Sequence, residues 1–266
     1  MAGGNSEGVH KFSLPRPTAG RAIRPMERES ERMAYRFRPS ETVPAGLRRV
    51  VREQLDRAVA ELTDPALDRH EAIHQARKRL KKVRAILRLI RPPLPDLYAA
   101  ENAFYRDLGR DLSVVRDATT LIESLDALAT RQADQAGAVP FAAVREALVA
   151  RRQAVIEHLG SLDRALKQFI DQLSKARARV ATWLLRPGGF EAIAPGLERS
   201  YDQGRKRLET ACDQPTVENL HELRKRVKDH WYHARLVECI WPRRMKAYRR
   251  TLARLSDMLG EDHDLS

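Results

Sequence analysis

Apolar residues recur along this chain at alternating steps of three and four, a pattern that predicts helices almost throughout. The clearest case is His74 to Arg88, H-Q-A-R-K-R-L-K-K-V-R-A-I-L-R. Ile73, Ala76, Leu80, Val83, Leu87 and Ile90 form one stripe, with the heptad spacing that a bundle buries. His74, Arg77, Lys78, Lys81, Arg84 and Arg88 form a second, basic stripe. At about 100° per residue, its centre lies roughly 115° around the helix from the apolar one. A charged stripe opposite the core faces bulk water, whereas one at its flank can border a cleft.

The same reading extends along the chain. A helix is predicted from about Pro44 to Leu62, with Leu47, Val50, Val51, Leu55, Val59 and Leu62 inward, and Thr63-Asp64-Pro65 ends it. The helix bearing the two stripes follows from about Leu67 to Arg91, stopped by Pro92-Pro93. A third runs from about Asp96 to Arg116, with Leu97, Ala100, Phe104, Leu108 and Leu112 inward. Asp117 would cap a fourth, reaching about Asp134. Two more amphipathic helices fill Phe141 to Leu185, and Pro187-Gly188-Gly189 marks the main internal boundary. Helices near Glu191–Cys212, Val217–Ile240 and Arg243–Gly260 close the chain. Only the alternation Tyr35, Phe37 hints at an extended segment, so the fold class is all-α. Residues 1–32, rich in Gly, Ser, Pro and Arg, read as a disordered basic tail. Organised sequence begins at Met33.

At Leu220 the two-stripe segment is written again, L-H-E-L-R-K-R-V-K-D-H-W-Y-H-A-R. His221, Arg224, Lys225, Lys228 and Arg235 each follow their counterparts His74, Arg77, Lys78, Lys81 and Arg88 by 147 positions. The apolar heptad repeats as Leu220, Leu223, Val227, His230, Ala234 and Val237. Leu108, Leu112 and Asp117 match Leu255, Leu259 and Asp264 at the same offset. An ungapped offset over this length reads as an internal duplication. Residues 33–187 would hold the first repeat with its connecting helices, and 188–266 a second repeat cut short at the C-terminus. A reduced second bundle would expose the apolar stripe of its helices and favour a homodimer.

Charge narrows the partner. Lys and Arg number 49 against 36 Asp and Glu, a net charge of +13 that calls for a polyanion: nucleic acid, an acidic membrane surface or a phosphate polymer. Cys212 and Cys239 are the only cysteines, too few for a disulfide framework or a zinc site. No apolar run is long enough to span a bilayer and no signal-peptide core is evident, so a cytoplasmic protein without membrane insertion is expected. Arg48, Arg49 and Arg52 of the first helix add to the basic surface.

These residues resemble the conserved-histidine α-helical domain family, shortened to CHAD. The resemblance is carried by H-Q-A-R-K-R-L-K-K-V-R at His74 and H-E-L-R-K-R-V-K at His221. L-S-V-V-R-D at Leu112, L-E-R-S-Y-D-Q-G-R at Leu197, F-R-P-S-E-T-V-P-A-G-L-R-R at Phe37 and the L-G-E-D-H-D-L ending support it. It covers Met33 to Ser266. The resemblance implies two helical bundles related by pseudo-twofold symmetry, with a basic groove between them that binds inorganic polyphosphate, in some members at polyphosphate granules. Arg205, at the end of the Leu197 segment, joins the stripes, Arg49 and Arg52 as a candidate ligand. In the second copy Trp231 stands where the first has Arg84, so one cation is missing there.

The side-chain chemistry suits such a ligand. A phosphate chain presents charge without base edges, so an array of donors serves better than a shaped pocket; Arg offers planar forks and Lys point charges. His74 and His221, at the N-terminal ends of the stripes, could donate to phosphate or orient the arginines, and a bound anion would raise their pKa. No cofactor is expected. His263-Asp264 has the look of a phosphohydrolase metal pair, but its counterpart Arg116-Asp117 points to a helix cap, and no further ligand set or phosphate-binding glycine loop accompanies it. Catalysis is therefore not expected. RNA or DNA is the alternative partner, weakened by an aromatic content of 6% that is not interleaved with the basic stripes.

Overall fold

The computed structural model describes residues 35–132, 141–158, 162–186 and 188–264. Its helices are α1 (Val43–Thr63), α2 (Arg69–Leu89), α3 (Pro95–Asp111), α4 (Ser113–Gln132), α5 (Phe141–His158), α6 (Leu162–Arg179), α7 (Ala194–Asp213), α8 (Val217–Leu236) and α9 (Pro242–Asp264). Two 3₁₀ turns, Val180–Thr182 and Phe190–Ala192, complete the secondary structure, and no strand occurs among the described residues. The expected tail, 1–32, and Pro187 lie outside them.

Local chemistry sets the helix ends. The Thr42 hydroxyl caps α1, the Asp68 carboxylate accepts from the His70 and Glu71 amides at the start of α2, and Thr216 caps α8. Each such cap is worth about 1 kcal/mol. Pro44, Pro95 and Pro195 fill first-turn positions of α1, α3 and α7, where a missing N–H costs nothing.

α2 is the shared strut of the molecule, packing against α1, α3, α4, α7 and α8. Its heptad stripe is buried as the spacing predicts, with Ile73, Ala76, Val83 and Leu87 fully covered and Leu80 and Ile90 nearly so. These residues join α1, α3 and α6 in the main core, which takes in Tyr35 and Phe37 and reaches Leu236 and Val237 at the end of α8. Residues 35–38 form no strand, yet they staple that core: the Phe37 amide donates to the Leu236 carbonyl (2.9 Å) and the Tyr35 hydroxyl to the Lys82 carbonyl (2.9 Å). A much smaller cluster of Ala211, Leu223, Val227, Ala234 and Leu252 holds α7, α8 and α9 together.

Two expectations are corrected in the third and fourth helices. α3 stops at Asp111, and α4 starts at Ser113 rather than at an Asp117 cap; Leu112 between them is buried and its amide turns back to the Arg110 carbonyl. The Asp117 side chain lies outside the described residues. Ala100 is exposed, whereas Glu101 and Tyr105 point inward. The Glu101 carboxylate is covered because Arg179 of α6 grips both its oxygens (2.9 and 3.2 Å) while lying over the Phe104 ring.

Two pairs of helix boundaries keep the sequence offset. α2 and α8 end at Leu89 and Leu236, and α3 and α9 begin at Pro95 and Pro242, each pair 147 positions apart. Other boundaries depart from it: α1 and α7 start at Val43 and Ala194, 151 positions apart, and α3 breaks at Leu112, whereas α9 runs past the matching Leu259 to Asp264. No described helix is long and apolar enough to cross a membrane.

Candidate anion-binding cleft

The basic flank of α2 opens onto two depressions that share Arg84. The larger, about 520 Å³, lies where α2 and α3 meet α7 and α8. Arg84, Arg88 and Arg91 enter it from α2 and the turn that follows. Arg199, Lys206 and Arg207 face them from α7, and Arg226 reaches in from α8. Neutral polar groups fill the gaps: Tyr98 and Asn102 of α3, and Ser200, Gln203 and Thr210 of α7. No carboxylate is among these lining residues. The smaller depression, about 240 Å³, continues along α2 through Arg77 and Lys81, with Arg106 and Arg110 of α3 opposite.

Crowding leaves its mark on the cations. Burial and then the neighbouring Arg88 pull the Arg84 guanidinium below its ordinary pKa, with Asp229 and Tyr98 acting the other way. Arg84 donates from Nε to the Asn102 amide oxygen (3.0 Å), which fixes the side chain without neutralising it. Arg88 and Arg226 meet at Asp229, donating to Oδ1 (3.1 Å) and Oδ2 (3.4 Å) respectively. Arg91 lies over the Tyr98 ring at 4.9 Å, covering one face of this aromatic lining residue.

Of the sequence-predicted set, Arg77, Lys81, Arg84 and Arg88 line these depressions. His74 and Lys78 lie half-buried on α2 outside their linings. On α8 the placement of the matching residues differs from that on α2. Arg235 is buried with its guanidinium over Trp231, and Arg249 lies against the same ring. Trp231 is thus a packing residue between two cations. Arg224 abuts Gly260 of α9, Lys225 pairs with Glu222, and Lys228 is exposed. His221 is half-buried on α8 and lines neither depression. Arg49 is held by Glu41 and Glu53, and with Arg52 it borders a separate depression that also contains Asp56 and Glu53. Arg205 sits on the rim of α7 beside Glu209.

Arg91, Arg199, Lys206, Arg207 and Arg226 are the cleft residues that sequence reasoning missed. The α7 set was readable: Arg199, Gln203, Lys206 and Thr210 follow the same three-and-four step as the stripe on α2. Arg205 is turned about 100° from Lys206 and leaves that face. Arg226 and its counterpart Arg79 share a register, but Arg79 is buried against Glu61 of α1.

The model of the CHAD domain matches residues 40–266, most of the chain. The chain belongs to the CHAD family. No curated protein and no solved structure matches it. Within this CHAD domain the described residues include no group of three or more His, Cys, Asp or Glu side chains placed to hold a metal ion. The side chains of His263 and Asp264 lie outside them.

Proposed function

We propose that this CHAD domain binds inorganic polyphosphate without cleaving it, holding the polymer along α2 and across the cleft to α7 and α8. The observation that carries the reading is a cation track: Arg77, Lys81, Arg84 and Arg88 on one helix flank and Arg91 in the turn beyond it, faced by Arg199, Lys206, Arg207 and Arg226, with no carboxylate among these lining residues. Arg88 follows Arg77 by eleven positions, about 16 Å of helix, a length suited to an extended anion rather than a single phosphate. Among the described residues, the groups that line either depression are cationic, neutral polar or apolar, a lining that favours binding of phosphoryl groups. Family membership supports the same ligand class, and association with polyphosphate granules in the cytoplasm would follow from it.

Nucleic acid would use the same charges, but Tyr98, the aromatic group lining the cleft, already carries Arg91 on one face. A competition titration tests the choice. Long-chain polyphosphate is expected to displace single-stranded RNA and duplex DNA at equal phosphate concentration; displacement in the reverse order overturns the reading. Hydrolysis of polyphosphate by the purified chain in the presence of Mg²⁺ or Mn²⁺ would overturn the non-catalytic assignment.

A further inference from the structure

Asp229 stands apart from the other acidic residues near the cleft. It belongs to α8, is 9% exposed, and lies behind the cleft wall rather than in its lining. Each of its oxygens receives a different guanidinium, Arg88 from α2 and Arg226 from its own helix. Both arginines also line the cleft. Every guanidinium has five N–H donors, and Asp229 engages one from each through the contacts above, so the others stay available to a bound anion. A carboxylate between two guanidiniums also relieves the repulsion of holding them side by side, which water would otherwise screen.

The register of the chain makes this bridge one-sided. The counterpart of Asp229 in the first copy is Lys82, 147 positions earlier, and the counterpart of Arg88 is the buried Arg235. The first copy therefore delivers its last stripe arginine to the cleft, and the second copy supplies the carboxylate that holds it there.

We infer that Asp229 is a positioning residue of the anion site: it orients Arg88 and Arg226 together at the junction of α2 and α8, so that both forks meet one stretch of bound phosphate. The inference rests on the cleft being the polyphosphate site. Its sign is opposite to that of simple charge. Asp229→Asn raises the net charge by one, and electrostatics alone would tighten polyanion binding. Loss of orientation weakens it.

The full chain and its Asp229→Asn and Asp229→Glu variants would be titrated with long-chain polyphosphate at two salt concentrations, with folding checked by circular dichroism. Asp229→Asn is expected to weaken binding about tenfold, the scale of one charge-assisted contact. Asp229→Glu keeps the charge and displaces both forks, and is expected to weaken binding several-fold; it serves as the test if the Asn variant does not fold. Arg226→Lys should weaken the wild type but add little in the Asp229→Asn background, because the fork is already released. Binding by folded Asp229→Asn or Asp229→Glu that equals or exceeds wild type, or additive losses in the double variant, overturns the positioning role while leaving the ligand assignment intact. A wild-type chain that does not bind polyphosphate instead removes the ligand assignment, and the inference with it.

Discussion

The first turn of α7 is seated on the last turn of α2: a Cβ added to Gly196 would lie 2.0 Å from the Leu89 carbonyl oxygen. This approach sets the width of the cleft, since Gly196 also lines it and Arg199 rises one turn further along α7. The obstacle is backbone, so α7 itself must shift to admit a side chain. Gly196→Ala is expected to destabilise the protein by about 1–3 kcal/mol, as overpacking does. Gly204, on the same helix, has nothing within 4 Å of its added Cβ. Gly204→Ala should therefore stabilise by up to about 1 kcal/mol through helix propensity. Urea unfolding of the two variants checks the opposite signs.

Arg179 and Glu101 tie α6 to α3. Glu101 is largely covered, whereas Arg179 is 42% exposed and can recover water when its partner is lost. That exposure keeps the expected penalty of Glu101→Gln to about 1–2 kcal/mol, below the figure for a fully buried pair. Polyphosphate affinity should change little, because neither residue lines the cleft. Parallel denaturation and binding measurements would separate the two effects.

Helix order and the buried face of α2 were legible because period and punctuation are local signals: Ile73 to Ile90 fall inside as their spacing requires. The break at Leu112 was not, because neither proline nor glycine marks it and the Leu112 backbone itself stays in the right-handed helical region. On the site, the stripe on α2 was readable as far as Arg88. The similar segment on α8 misled, since equal register does not give equal surroundings. Arg88 finds Asp229 and the cleft, whereas Arg235 finds Trp231 and the interior. For Arg88 the partner sits on the facing helix, which the stripe itself does not show; for Arg235 it is Trp231, one turn back on α8 and standing where α2 has Arg84.

That distinction has a direct consequence for binding. Arg84→Ala and Lys206→Ala remove cations from facing walls of the cleft, whereas Arg205→Ala removes an exposed cation beside Glu209. Between about 50 and 200 mM salt, each cleft variant should lower the slope of log affinity against log salt by about one. Arg205→Ala should leave slope and affinity nearly unchanged. Equal effects from all three would mean that the polymer is held by diffuse surface charge and not by the cleft.

His233 supplies a pH signature. Its imidazole is fully buried, and its Nε2–H donates to the Ala85 carbonyl (2.8 Å), joining α8 to α2. Burial pushes its pKa down to about 3, only partly opposed by that hydrogen bond. An unfolded histidine titrates near 6.5. Above that value both states are neutral and the full stability is present. As pH falls below it, the unfolded chain takes up a proton that the folded chain refuses, and stability drops by about 1.4 kcal/mol per pH unit. About 2 kcal/mol should be lost between pH 6.5 and pH 5. His230, also lowered by burial, adds in the same direction. Asp229, raised by burial, opposes it as its carboxyl protonates. The paired carboxylates Glu41 and Glu222, lowered in the folded state, lose their contribution only at more acidic pH, below the range of an unfolded glutamate. His233→Gln keeps a side-chain donor for Ala85 and does not titrate. The difference in urea stability between pH 7 and pH 5 should shrink in this variant by about 2 kcal/mol relative to wild type. An unchanged difference would mean that the acid sensitivity arises elsewhere and that His233 is not held neutral at the joint between α2 and α8.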